Sequence, residues 1–182
     1  MTNVAQCNNN SVAIKNIFDF ICLVFLIKDF SLHRIMSSVI LVNHNDEPLG
    51  LMEKMDAHRK GLLHRAFSVM IFNSYGHVLL QQRASSKYHS PGLWTNACCS
   101  HQHPETEEIA WIKSRMKFEM GFGCEITLKY KFIYKAHFEN GLTEHELDYI
   151  YEGIFNGNPM PNPSEVSSWR WVRLEELKQE IN

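Results

Sequence analysis

The chain has 182 residues, 45% of them hydrophobic and 21% charged, with a formal net charge of -2. That length suffices for one domain with a real core, the mixed composition excludes a disordered or fibrous chain, and the near-neutral charge with no basic block excludes a nucleic-acid surface. The five cysteines, Cys7, Cys22, Cys98, Cys99 and Cys124, are odd in number and lack paired spacing; they form no disulfide framework and suit a reducing compartment, so a cytoplasmic location is expected.

Residues 1–35 read differently from the rest. Asn8-Asn9-Asn10 is polar, and the apolar run from Ile17 to Ile27 contains Asp19. It is shorter than the roughly 20 residues a membrane span needs. Only Lys15 stands ahead of it as a basic flank, which is a poor match to a signal peptide. The expectation is a disordered or loosely packed extension without stable membrane insertion, followed by a domain over residues 36–182.

In the domain, Ser38 to Val42 is a β-rich run and Asn43 to Pro48 its turn. Glu53 to Lys60 is polar and helix-compatible. Ala66 to Phe72 alternates like a strand, Asn73 to Gly76 turns, and Val78 to Arg83 returns. Pro91-Gly92 marks a loop. Residues 106–120 predict the clearest helix, with Thr106 as N-cap, Glu107 and Glu108 in the first turn, an apolar stripe of Ile109, Ile112, Met116 and Met120, and Gly121 as the stop. Tyr130 to Phe138, Asp148 to Phe155 and Ser168 to Val172 read as strands. Glu175 to Ile181 starts a helix that the chain end cuts short. Strands on both sides of one central helix predict an α+β (mixed α/β) domain, a mixed sheet flanked by helices.

Ten histidines is a high count for this length. His58, His64 and His101 could join Glu144 and Glu146 in a metal site. Glu144 and Glu146 are two apart, so in a strand they share a face. Three imidazoles and two carboxylates suit Mn²⁺ or Mg²⁺, or else Zn²⁺; scattered polar residues around a pocket mouth are the plainer alternative. Cys99 reads as a proton donor, a nucleophile or an inert buried thiol, and Cys98 is its built-in comparison, because strand neighbours face opposite ways. Arg83, Lys87, Lys54 and Arg115 are candidate phosphate binders, or solvated surface charges taken singly.

Several ordered strings carry a family resemblance: Ala57-His58-Arg59-Lys60-Gly61-Leu62-Leu63-His64-Arg65-Ala66-Phe67-Ser68, Gln81-Gln82-Arg83-Ala84, Lys87-Tyr88-His89-Ser90, Gly92-Leu93-Trp94-Thr95-Asn96-Ala97-Cys98-Cys99-Ser100-His101 and Glu144-His145-Glu146. From Ser37 to Arg173 the chain resembles the type I isopentenyl diphosphate isomerases of the Nudix-fold superfamily. The resemblance implies a Nudix-like fold and the isomerisation of isopentenyl diphosphate to dimethylallyl diphosphate in isoprenoid precursor biosynthesis. It implies that Cys99 and Glu144 do the acid/base work, with Tyr134 close to the pair. It implies a tightly held Mn²⁺ or Mg²⁺ on His58, His64, His101, Glu144 and Glu146. It further implies a Mg²⁺ joining the diphosphate to Glu119, and diphosphate contacts from Lys54, Arg83, Lys87, Ser100 and Arg115. A monomer or weak dimer acting on a small molecule is expected.

Three features depart from that pattern. The Nudix signature, Gly-x5-Glu-x7-Arg-Glu-apolar-x-Glu-Glu-x-Gly, is worn: anchored on Gly121, its places hold Ser100, Thr106, Ser114, Arg115, Met116, Phe118 and Glu119. One carboxylate of the final pair survives, which disfavours the alternative of a Nudix-type diphosphate hydrolase. Thr106 and Ser114 together read as joint loss of a structural ion pair, with Glu105 able to fill the first place if the loop shifts. The loop from His101 to Glu105 lacks a glycine usual in the family. Finally, family members continue beyond the position of Asn182 with a tryptophan-bearing segment, so a truncated chain, or a truncated or inactive relative that binds diphosphates, is the remaining alternative; Trp169 and Trp171 lie in a strand and do not replace that tryptophan.

Overall fold

A computed structural model describes residues 37–87 and 90–180. The expected extension over residues 1–35 and the motif residues Tyr88 and His89 lie outside them. The order is β1 (Ser38–Val42), β2 (Pro48–Glu53), α1 (Lys54–Lys60), β3 (His64–Phe72), β4 (Val78–Arg83), β5 (Trp94–Asn96), β6 (Cys98–His101), α2 (Glu108–Met120), β7 (Ile126–His137), β8 (Thr143–Ile154), β9 (Val166–Val172) and α3 (Leu174–Glu180). This is the mixed sheet flanked by helices that the sequence predicts.

The long strand β3 organises the sheet. It runs parallel to β8 from His64↔Glu146 to Phe72↔Ile154. It runs antiparallel to β6 from Ala66↔His101 to Val69↔Cys98, and also touches β1 and β4. β7 is paired with β8, and β9 with β4. Alternation along β3 sends Phe67, Val69 and Ile71 inward, each at most 1% exposed. They pack with Ile112, Met116 and Met120 of α2 in one cluster. Burying each such side chain is worth about 1.5–3 kcal/mol. A smaller cluster, Val78, Leu80 and Val172, is covered by Leu177 of α3.

The predicted helix stop holds: Gly121 closes α2 in the left-handed region at φ 77°. Its missing Cβ also matters, because one built there would lie 2.2 Å from the Met160 carbonyl oxygen. The loop before β9 is thereby drawn onto the helix end. The predicted N-cap is corrected. Glu107, not Thr106, caps α2, accepting from the N–H groups of Ile109 (3.0 Å) and Ala110 (2.8 Å). The Thr106 hydroxyl is engaged elsewhere, 3.0 Å from His103 Nδ1. His103 also orders the glycine-free loop by accepting from the Glu105 N–H and packing on Trp111. Glu105 is exposed.

Two strands, β2 and β5, are absent from the sequence reading. Pro48 opens β2 rather than ending a turn; among the described residues β2 pairs only with β1, so its proline sits at a sheet edge and costs little. The short β5 (Trp94–Asn96) leads into β6, which carries the two cysteines in the strand that their expected alternation assumes. β7 and β8 also start earlier than predicted, which places Glu144 and Glu146 within β8. Among the described residues no helix is long and apolar enough to cross a membrane.

Candidate active site

Four side chains converge where α1, β3, β6 and β8 meet. Gly61, left-handed at φ 60°, ends α1 and reverses the chain. His58 on the last turn of α1 thus reaches His64 at the start of β3, with ring centroids 4.9 Å apart. The ladders bring in the others: Ala66 faces His101, and His64 faces Glu146. One ligand atom from each of His58, His64, His101 and Glu146 lies within 4.8 Å of every other.

The protonation pattern is that of a ligand set. His58 Nδ1 is 2.7 Å from the Lys54 carbonyl and His64 Nδ1 is 2.8 Å from the Leu62 carbonyl. A carbonyl can only accept, so each Nδ1 carries the hydrogen and each Nε2 presents a lone pair. Both Nε2 atoms are buried and have no hydrogen-bond partner among the described residues. Leaving such an atom unpaired costs about 1–3 kcal/mol, and a divalent cation is the group that would take both lone pairs. Burial lowers the pKa of His58 and of His101, keeping the rings neutral as ligation requires. Burial pushes the Glu146 carboxyl up, but its hydrogen bonds with His101 and Tyr134, and the His64 ring beside it, outweigh this and hold Glu146 well below the usual carboxylate range.

Glu144 does not join that tight group. It lies two residues back along β8 on the same face. Tyr134, opposite Glu146 in the β7–β8 ladder, puts its hydroxyl 2.7 Å from Glu146 Oε2 and 3.1 Å from Glu144 Oε2, so its single proton can serve either carboxylate. Burial raises the Tyr134 phenol far above its ordinary pKa, and the two carboxylates add to this. Burial and the neighbouring Glu146 also raise Glu144, which makes it the more readily protonated of the pair.

Across the same cavity, of about 350 Å³, stands Cys99. Burial, assisted by the charge of Glu119, pushes its thiol up to about 12, so it carries its proton at neutral pH. The Thr95 hydroxyl is 3.9 Å from its sulfur. Cys98 points the other way, fully buried in the core cluster. The alternation predicted for the two cysteines is what the strand produces.

Lys54, Arg83, Lys87, Ser100 and Arg115 all line this cavity, as do Glu119, Glu144, Glu146, His101 and Tyr134. Of the sequence-predicted site residues, His58 and His64 alone lie behind its wall. Burial lowers the Lys54 ammonium pKa. Glu119, 5% exposed, is held by Arg115 of its own helix and by Gln81 of β4. Phe118, at the place of the signature's other carboxylate, is 50% exposed. Several polar neighbours of these residues are not legible from the sequence. Gln81 reads as an ordinary strand residue. Asp148 reads as a strand start, yet it continues the row of Glu144 and Glu146. Its Oδ2 accepts from the Ser68 hydroxyl at 2.8 Å, and burial pushes it up to about 7. Glu165 follows a proline-rich loop and carried no signal at all.

The NUDIX domain model matches residues 62–182. Isopentenyl-diphosphate Delta-isomerase 1 of Aromatoleum aromaticum is 48% identical over 144 residues, covering 79% of this chain and 81% of the relative. The chain belongs to the isopentenyl-diphosphate Delta-isomerase family. The isomerase of Burkholderia multivorans is 48% identical over 139 residues, covering 76% and 79% of the two chains, and that of Pectobacterium atrosepticum is 47% identical over 146 residues, covering 80% and 82%. Two crystal structures share the fold. A Deinococcus radiodurans protein aligns with TM-score 0.65 at 18% identity, covering 79% of this chain and 88% of its own. A MutT protein of Methanosarcina mazei aligns with TM-score 0.53 at 17% identity, covering 64% and 81%. The isomerase relatives and the NUDIX match agree with the resemblance read from the cysteine, histidine and glutamate strings.

Proposed function

We infer that this isomerase family member interconverts isopentenyl diphosphate and dimethylallyl diphosphate by adding a proton to one carbon and removing another across the allylic system. The observation that carries the reading is one cavity holding a protonated thiol, a tyrosine-bridged carboxylate pair and four cationic side chains. An unactivated alkene is a weak base, so its protonation requires a positioned acid in a site poor in water.

Lys54, Arg83, Lys87 and Arg115, with Ser100, hold the diphosphate and so fix the hydrocarbon between β6 and β8. Cys99 and the Glu144–Glu146 pair exchange protons with its two faces, and Tyr134 passes its hydrogen bond between the carboxylates as their charge changes. Glu146 acts on Cys99 through its field, while Glu144 has the raised pKa of a proton carrier. A negative wall beside the reacting carbons also steadies developing positive charge.

His58, His64, His101 and Glu146, completed by Glu144, would hold the tightly bound divalent ion, Mn²⁺ or Mg²⁺ with Zn²⁺ as the other candidate, and Glu119 a Mg²⁺ that accompanies the diphosphate. Such an ion supplies positive charge that tunes the proton affinity of the carboxylates it touches. The reaction is placed in the cytoplasm, where thiols stay reduced, with the chain acting as a monomer or weak dimer.

The test is proton NMR of the purified chain with isopentenyl diphosphate, Mg²⁺ and D₂O. Deuterium should enter the methyl groups of the dimethylallyl product. Release of inorganic phosphate without deuterium incorporation would replace the isomerase reading with a hydrolase.

A further inference from the structure

Glu165 is the charged wall residue that this chemistry leaves without a task. Its carboxylate accepts from Lys87 Nζ and lies 3.8 Å from Arg115 Nη2. At Lys54, where burial lowers the pKa most, the charge of Glu165 works in the opposite direction. One carboxylate therefore stands among three of the four cations assigned to the diphosphate.

The main chain fixes it there. The Ala84 N–H donates to the Glu165 carbonyl at 3.0 Å, and the Glu165 N–H donates to the Asn162 carbonyl at 2.9 Å. The Asn162 N–H in turn donates to the Glu119 carbonyl at 2.9 Å. A bulge in the β4–β9 pairing sets Val166 opposite Arg83. The loop is thus stitched both to the strand end bearing Arg83 and to the helix bearing Arg115 and Glu119.

A carboxylate in this place works against a bare anion. Lys54, Arg83, Lys87 and Arg115 supply four positive charges, and Glu119 and Glu165 take back two. Arg115 already sits between those two carboxylates, 2.5 Å from Glu119 and 3.8 Å from Glu165. A bare diphosphate entering here meets two fixed negative charges at close range. A diphosphate that brings a divalent cation meets them as counter-charges.

We propose that Glu165 makes the cation end of the cavity select a diphosphate as its divalent-cation complex over the bare anion. The proposal rests on the diphosphate reading above. The residue acts through Lys87 and Arg115, so it is a positioning and selecting residue. Because it acts by charge, removing the charge should strengthen binding of the bare anion. A purely mechanical clamp would do the opposite.

The experiment is calorimetric titration of inorganic pyrophosphate into the full chain, once in excess Mg²⁺ and once in EDTA, for wild type, E165Q and E165D. Wild type should bind more tightly in Mg²⁺. E165Q should gain roughly tenfold in EDTA and change little in Mg²⁺, collapsing the ratio of the two affinities by about that factor. E165D, whose carboxylate is drawn back by one methylene, should lower the ratio by roughly threefold; if E165Q fails to fold, an unchanged ratio in E165D overturns the proposal. Equal weakening of E165Q in both media would show a mechanical clamp and overturn it too. A wild type that binds with a ratio E165Q leaves unchanged removes the role of Glu165 alone, whereas a wild type that binds in neither medium overturns the diphosphate site and this inference together.

Discussion

At the imidazole end of the site His64, His101 and Glu146 stand on three adjoining strands whose ladder registers fix them against one another. At the cation end Lys54, Lys87 and Arg115 come from a helix start, a loop and a helix face. The difference follows from what each end must do. Ligand bonds and proton transfers lose most of their value when atoms move by about an ångström. Charge neutralisation falls off slowly with distance, so side chains on flexible stems serve it well. On the proposed assignment, chemistry occupies the centre of the sheet and anchoring occupies its margins.

The largest expected effect tests that division directly. Cys99→Ala should lower turnover by roughly 10³-fold or more, the range for loss of a positioned acid, while metal content measured by mass spectrometry stays unchanged. Cys98→Ala, one residue away but facing the core, should leave turnover within a few-fold of wild type. Equal losses in the two variants would mean that packing of β6, not the Cys99 proton, supports the reaction. Glu144→Gln should lose activity and also bind the divalent ion more weakly, because the proposed mechanism gives this side chain both the proton and the ion; full metal content in that variant would take Glu144 out of the ligand set.

The next effect concerns stability at the same end. Asp148 is buried with its pKa raised from 3.8 to about 7. A carboxyl raised on folding costs nothing below its unfolded pKa, where both states are protonated. The cost grows as pH rises through the interval and is complete above the folded pKa. Asp148→Asn keeps an acceptor for the Ser68 hydroxyl and carries no charge. In denaturant titrations of the metal-free protein it should match wild type near pH 3 and exceed it by roughly 2–4 kcal/mol at pH 8. A constant difference at both pH values would show that shape, not ionisation, decides.

The same division explains what could be read from the sequence. Glu144 and Glu146 were legible as a same-face pair because strand periodicity is a local rule, and so was the opposition of Cys98 and Cys99. The stripe of α2 and its glycine stop were legible for the same reason. The N-cap was not: Thr106 has the better capping chemistry, but His103 takes its hydroxyl and Glu107 fills the place. The gathering of His58, His64 and His101 could not be derived from spacing, since it depends on the αL turn at Gly61 and on the register between β3 and β6. Family resemblance supplied that. Glu165 was invisible to both readings, because its role arises from loop stitching across α2, β4 and β9.

A smaller effect should appear at the cation end. Lys87→Ala should raise KM by roughly tenfold and change kcat little, since its proposed task is to anchor the diphosphate away from the reacting carbons. The effect should shrink in high salt, as expected for a charge that keeps some contact with solvent. A loss confined to kcat would instead tie the loop to alignment of the hydrocarbon, and would erase the distinction between the two ends.

The smallest effect concerns the helix that joins the ends. α2 carries Arg115 and Glu119 toward the cavity, while its signature places hold Thr106 and Ser114, both exposed. The pair T106E with S114R restores the two charges on the surface. Exposed ion pairs contribute about 0.2–1 kcal/mol, so a double-mutant cycle should give a coupling of that size, weakened by salt, with KM and kcat unchanged. The first turn of α2 is already held by Glu107 and ordered through His103 and Trp111, which leaves a restored ion pair little further to stabilise. A coupling well above that range would mean that the worn signature had loosened the helix on which Arg115 and Glu119 are mounted.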